Sequence, residues 1–211
     1  MDEVLGRLAS ARSELDAKDE IRDRMLNAKR GVTSKARESS NRAQQGKLTE
    51  AREAYEDALE QTQAIREDLG PRPDLWYSGA LRNALQEVAE AWILLELMGE
   101  GAELPEEATT AEAFVLGAGD AVGELRRRAL DALIEQDPGE AEERLSEMAE
   151  LYEQLRTIDV PSGVVDLKHK VDVARTLVDK TRGKIALGRI EQRLTRLDRE
   201  IEDDTGQATT R

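Results

Sequence analysis

The stretch Ala84-Leu85-Gln86-Glu87-Val88-Ala89-Glu90-Ala91-Trp92 is apolar except for one amide and two acids. On either side of it the large apolar residues continue at the same interval, giving Leu81, Leu85, Val88, Trp92 and Leu95. Steps of three and four trace a single stripe along a helix that faces a core. The spacing predicts a helix from about Leu75 to Met98. The same period recurs outward from there, and the alternation of β-branched and aromatic residues expected of strands is missing. The expected fold is all-α, an elongated bundle of about six to seven helices.

Turn and cap residues divide the rest. A long first helix is expected over about 2–43, weaker near Gly31 and Ser39-Ser40. A second follows Gly46, with Thr49 as its cap, and runs to Gly70 ahead of Pro71 and Pro73. Residues 99–110 read as an acidic loop. Thr109 or Thr110 caps a helix reaching Gln136, which Pro138 stops. A further helix covers about 139–157, Val160-Pro161-Ser162-Gly163 is a turn, and a last helix or broken pair covers about 164–202. One domain over 1–202 is expected, with a frayed polar tail over 203–211.

Composition narrows the chemistry. With 211 residues and no cysteine, thiolate metal sites, disulfides and thiol nucleophiles are excluded. No apolar run of about 18 residues exists to span a membrane, and Met1-Asp2-Glu3 opens acidic, so a cytoplasmic protein is expected. The net charge is −14, and arginine outnumbers lysine 23 to 8. An acidic, lysine-poor chain fits a high-salt, halophilic cytoplasm, where screening blunts self-repulsion; an ordinary acidic protein is the alternative.

Glu87 and Glu90, three apart, share a helix face, as do Asp120 and Glu124, four apart. Their neighbours are Ala, Val, Leu, Trp, Phe and Gly. A carboxylate in such surroundings needs compensation. Arginines could supply it, Arg82 or one on another helix for the glutamates and Arg128 for Glu124. A shared divalent ion could do so too: oxygen donors suit Mg²⁺ or Mn²⁺, and metal-activated water is an economical chemistry for a chain whose one histidine, His169, sits in a charged segment. Gly117, Gly119 and Gly123, each costly inside a helix, point to the close approach of another backbone or to room for a ligand.

Two stretches run against the acidic balance. Residues 21–49 carry a net +6 and residues 167–195 a net +5. Arg22, Lys29 and Arg37 recur on one helix face, either as a solvated face paired with acids or as a stripe for phosphate.

In collinear order from Glu14 to Lys184, these residues resemble the translin family, and within it the branch of translin-associated factor X. The pieces are Glu14-Leu-Asp-Ala17 with Arg22, Arg24, Arg30 and Ser34-Lys35; Leu75-Trp-Tyr-Ser-Gly79 followed by Ala84 to Ala91; Phe114-Val-Leu-Gly117 with Asp120-Ala-Val-Gly-Glu-Leu125; and Leu167-Lys168, Val173, Arg175 and Arg182-Gly183. The resemblance implies a translin-like helical subunit in a closed, hollow homo-oligomer, commonly an octamer. It implies binding of single-stranded or structured RNA, and of single-stranded DNA, and in that branch Mg²⁺-dependent endonucleolytic cleavage of RNA. The branch's acids match Glu87, Glu90 and Asp120, with Glu124 in support of the metal. Trp76, Ser78 and Gly79 stand where the translin branch carries nucleic-acid-binding Arg and His, so that contact does not carry over.

The expectation is therefore an endoribonuclease in which Glu87, Glu90, Asp120 and Glu124 hold Mg²⁺ or Mn²⁺ and Arg30, Lys35, Arg37, Arg127 and Arg128 hold the RNA backbone. The alternatives are a non-catalytic RNA- or DNA-binding oligomer and a helical scaffold for protein partners.

Overall fold

In the computed structural model, backbone is described for residues 1–70 and 72–208, and side chains for the same residues except 192 and 197–208. Seven α-helices and no strand occur among the described residues: α1 Asp2–Gln44, α2 Leu48–Leu69, α3 Pro73–Trp76, α4 Gly79–Leu97, α5 Ala111–Ile134, α6 Pro138–Leu155 and α7 Lys168–Ala208. The all-α expectation holds. The backbone resolves into two compact units, Met1–Ala121 and Val122–Arg211. None of the described helices is long and apolar enough to cross a membrane.

The first unit is built on an antiparallel hairpin of α1 and α2. Arg42 pairs with Glu50, Lys35 with Asp57 and Arg24 with Asp68. Each step back along α1 is matched by an equal step forward along α2. Gly31 stands at the same level as Gln61, whose side-chain oxygen fills the space beside it. Beneath these pairs lie Met25, Val32, Ala36, Tyr55, Ala58 and Ile65, packed with Leu81, Leu85, Val88 and Leu95 of α4. The stripe seen in the sequence is thus the face that α4 buries, and removing it from water is the main drive for docking. Packing on α1 begins near Ile21. Before it, Val4, Leu5, Leu8 and Leu15 are all exposed.

Helix α4 starts later than its pattern suggests. The Ser78 hydroxyl donates to the Leu75 carbonyl and closes the short α3, and Ser78 itself takes an extended backbone as the residue before α4. A hydroxyl that bonds the local backbone competes with helical continuation. Two other boundaries differ. Helix α2 begins at Leu48 after Lys47, with no side-chain cap, so Thr49 lies inside it. Pro138 starts a helix rather than only ending one: it occupies the first turn of α6, while the Asp137 carboxylate accepts from the Glu140 amide. Thr110 does cap α5, its hydroxyl accepting from the Ala113 amide.

In the second unit α6 packs on α7, with Ala132, Ala141 and Ile185 at the centre and Leu133 and Leu145 against them. Helix α7 is unbroken, and its backbone takes in residues 203–208 of the expected tail. Residues 209–211 of that tail lie outside the described residues.

Candidate functional site

Helices α4 and α5 touch backbone to backbone at Gly117. A methyl group there would lie 2.6 Å from the Gln86 carbonyl oxygen, 3.0 Å from the Ala89 Cβ and 3.0 Å from the Glu90 amide nitrogen. Only a residue without Cβ allows this approach, the first of the two explanations, and it holds for Gly117; a Cβ on Gly123 would meet only the Leu177 side chain, at 4.0 Å. One turn further along α5, Asp120 reaches the same stretch of α4, and its carboxylate accepts a hydrogen bond from the Gln86 side-chain amide. Trp92 closes the far end, donating its indole N–H to the Ala102 carbonyl and stacking at a tilt on Phe114.

Glu87 and Glu90 are half-buried on the flank of α4. The arginine that serves Glu87 comes from α1. The Nε and Nη2 groups of Arg37 both donate to Glu87 Oε1, at 2.9 Å and 2.6 Å. The Glu87 side chain keeps 19% of its surface exposed and that of Arg37 keeps 64%, so a pinned acid meets a mostly wet cation. The guanidinium is held in its charged form more firmly than usual, first by its hydrogen bond with Glu87, then by the charge of that carboxylate, and last by the charge of Glu90.

The outer face of α1 beside this pair forms an open groove of about 850 Å³, with Lys29, Arg30, Arg37 and Arg42 among its lining residues and Glu38 as its only acid among the described residues. Lys29 is anchored, its ammonium donating to the Ala80 carbonyl at the start of α4. Arg30 is exposed and makes no ion pair with the described residues.

The structure places the other expected residues differently. Lys35 lies outside the groove, on the α2 side, with its ammonium on Asp57 and close to Glu38. In the second unit, the Arg128 guanidinium makes a two-pronged bond to Glu140, at 2.7 Å and 2.9 Å, and stands near Glu135. Arg127 is exposed and lies 4.0 Å from the half-buried Glu124. His169 is exposed on a polar face.

Carboxylate oxygens are the donors that Mg²⁺ or Mn²⁺ prefers. Yet no three acids or histidines among the described residues stand together as a metal-holding group. Glu87 is already engaged by an arginine and Asp120 by an amide. As placed, these residues do not fit a metal ion.

Sequence reasoning missed the Arg37–Glu87 link, the part of Gln86, and the membership of Arg42 in the groove; of the face Arg22, Lys29 and Arg37 read from the spacing, Lys29 and Arg37 line the groove and Arg22 is not among its described lining. Gln86 carried a signal: it is the lone amide beside the acids in an otherwise apolar stretch. The pairing of Arg37 with Glu87 carried none, since nothing local singles out one of 23 arginines.

The model of the Translin family matches residues 20–182. An uncharacterized protein of Methanocaldococcus jannaschii is 27% identical over 175 residues, covering 80% of this chain and 76% of that protein. The crystal structure of AfC3PO superposes with a TM-score of 0.79 at 30% identity, covering 88% of this chain and 98% of AfC3PO. AfC3PO in a complex with duplex RNA gives 0.75, again at 30% identity, over 88% of this chain and 97% of that one. Apo-NeC3PO, 18% identical, shares the fold with a TM-score of 0.74 over 86% of this chain and 96% of its own.

Proposed function

The chain belongs to the translin family, and from that premise we propose that it binds RNA along the outer face of α1, as a homo-oligomer. The observation that carries this reading is the groove itself. Among the described residues four cationic side chains line it against one acid, on a chain whose net charge is −14. A cationic strip on an acidic protein attracts a polyanion locally while the rest of the surface repels it. Contacts to phosphate position a strand without reading its bases, so weak sequence preference is expected, for RNA and for single-stranded DNA. The resemblance of the chain to AfC3PO, a protein solved with duplex RNA, supports the same reading.

The test is fluorescence anisotropy with labelled single-stranded and duplex RNA in chelator. Wild type binds and Arg30→Ala binds about three- to tenfold more weakly, the scale of one lost solvent-exposed hydrogen bond. Equal affinity in the two proteins would remove the groove from the reading. No binding at low salt would leave the helical scaffold for protein partners.

A second reading is Mg²⁺-dependent endonucleolytic cleavage, as in the branch of translin-associated factor X. It is favoured by the meeting of α4 and α5 at Gly117, which brings the Asp120 carboxylate onto Gln86, beside Glu87 and one turn from Glu90. Glu87, Glu90 and Asp120 would be the acids of that reaction, with Glu124 in support. Arg37 and Gln86 would first have to leave two of them. Incubation with labelled RNA in Mg²⁺, in Mn²⁺ or in chelator, wild type beside Glu90→Ala, decides it: cleavage by wild type alone supports the enzyme, and equal cleavage by both identifies a contaminant. The acid-rich, lysine-poor composition suits a cytoplasm of high salt, so both assays belong in concentrated KCl as well as in dilute buffer.

A further inference from the structure

We propose that Glu87 is an internal competitor of RNA, occupying on Arg37 the position that a phosphate of the bound strand would take. This inference rests on the RNA-binding reading above and concerns how the groove is controlled.

Arg37 belongs to two sites at once. It lines the α1 groove with Arg30, and it spends two N–H groups on one oxygen of Glu87. The partners differ in freedom. Glu87 is mostly buried on α4, next to the contact at Gly117, and cannot follow a ligand outward. Arg37 is mostly exposed and has a long, flexible stem, so it is the member that can turn. A phosphate entering the groove must draw Arg37 off Glu87, or accept a position beside a carboxylate. Either course reduces the gain from the contact, so the groove of the free protein is weaker than its cations suggest. Arg30, which has no acid to compensate it among the described residues, makes the first contact at full strength. A short anion meets Arg30 alone, whereas a strand that spans both positions can displace Glu87. The pair therefore favours polymers over single phosphates.

Affinity for RNA measured in chelator tests this without reference to catalysis. Glu87→Gln keeps the shape of the side chain and removes its charge. It is expected to tighten binding about three- to fivefold, the scale of a partly exposed ion pair. Glu87→Ala, run alongside, should change affinity in the same sense. Arg37→Ala should weaken binding, and in that background Glu87→Gln should have no further effect, because the competition needs Arg37. Circular dichroism melts confirm that each variant is folded. Unchanged or weaker binding by Glu87→Gln and Glu87→Ala overturns the proposal while the groove stands. Tightening that persists without Arg37 also overturns it, since the effect would then be general repulsion. Failure of every protein, wild type included, to bind RNA at low salt overturns both this proposal and the reading beneath it.

Discussion

Gly117 of α5 sits so close to Glu90 of α4 that a side chain on the glycine would come within 3.0 Å of the glutamate's amide nitrogen. The contact is between two helical backbones, neither of which yields cheaply. It also sets how Asp120, one turn on, meets Gln86.

Gly117→Ala is therefore expected to destabilise. Alanine gains about 1 kcal/mol in helix propensity, but overpacking a filled contact costs about 1–3 kcal/mol, and here the nearest atom is a backbone oxygen at 2.6 Å. The melting temperature should fall by a few degrees. Gly183→Ala is the control, because nothing lies within 4 Å of the added methyl; it should raise the melting temperature by a similar amount. A rise in both would show that α4 and α5 can part freely.

Stability of the second unit should fall as pH rises toward neutrality. Burial pushes the Glu147 carboxyl up to about 7 from 4.5, against the attraction of Arg144 and with help from Glu143, Glu150 and Glu140. Arg144 lies within 3.0 Å but also serves Glu143, so it does not offset the burial. Because the folded pKa exceeds the unfolded one, the folded state holds the proton more tightly. Its advantage is full below the unfolded pKa and is lost as pH climbs through about 7. Melts between pH 5 and pH 8 should show this slope, on the order of 1–3 kcal/mol in all. Glu147→Gln should flatten it and be the more stable protein at pH 8.

Asp137→Ala removes the oxygen that accepts from the Glu140 amide at 3.0 Å. A lost cap of this type costs about 0.5–2 kcal/mol. Chemical denaturation should show a lower midpoint with an unchanged slope, and Asp137→Asn should restore most of the loss.

Arg127 and Arg128, adjacent in sequence, should separate cleanly. Arg128→Ala strips Glu140 of a two-pronged partner in a half-buried setting and should cost about 1.5–3 kcal/mol. Arg127→Ala, exposed and 4.0 Å from Glu124, should stay within about 0.5 kcal/mol of wild type. If Arg127→Ala also weakens RNA binding, the nucleic-acid surface extends into the second unit.

The salt dependence of RNA affinity counts the groove's phosphate contacts. Arg30→Ala should reduce the slope of log affinity against log salt by about 0.7 for a single strand. An unchanged slope would place the strand elsewhere.

Periodicity made most of the helices legible, because a stripe such as Leu81–Leu85–Val88–Trp92 records directly which face meets the core. The same signal hid the break at Ser78: apolar spacing runs straight through it, while the Ser78 hydroxyl and amide both bond the Leu75 carbonyl and end the turn. Pro138 was readable as a boundary but not as the start of α6, since proline serves both ends of the gap between helices. Of the acids, Glu87 and Glu90 stood out as a pair on one face, and Gly117 as a point of close approach. What the acids face was not legible. Arg37 lies fifty residues from Glu87 in the chain, and tertiary packing alone brings them together.

The matched ladder between α1 and α2 has a consequence for the groove. Pairs such as Lys35 with Asp57 and Arg42 with Glu50 are wet and individually weak, so their main effect is alignment. Sliding α1 by one residue would break all three rungs together and turn Arg37 about 100° around its axis. Ala36 or Glu38 would then confront Glu87, leaving an acid with no counter-ion or two acids opposed. The hairpin acts as a vernier, and the arrangement of charge along the outer wall of α1 is set by the register of its pairing with α2.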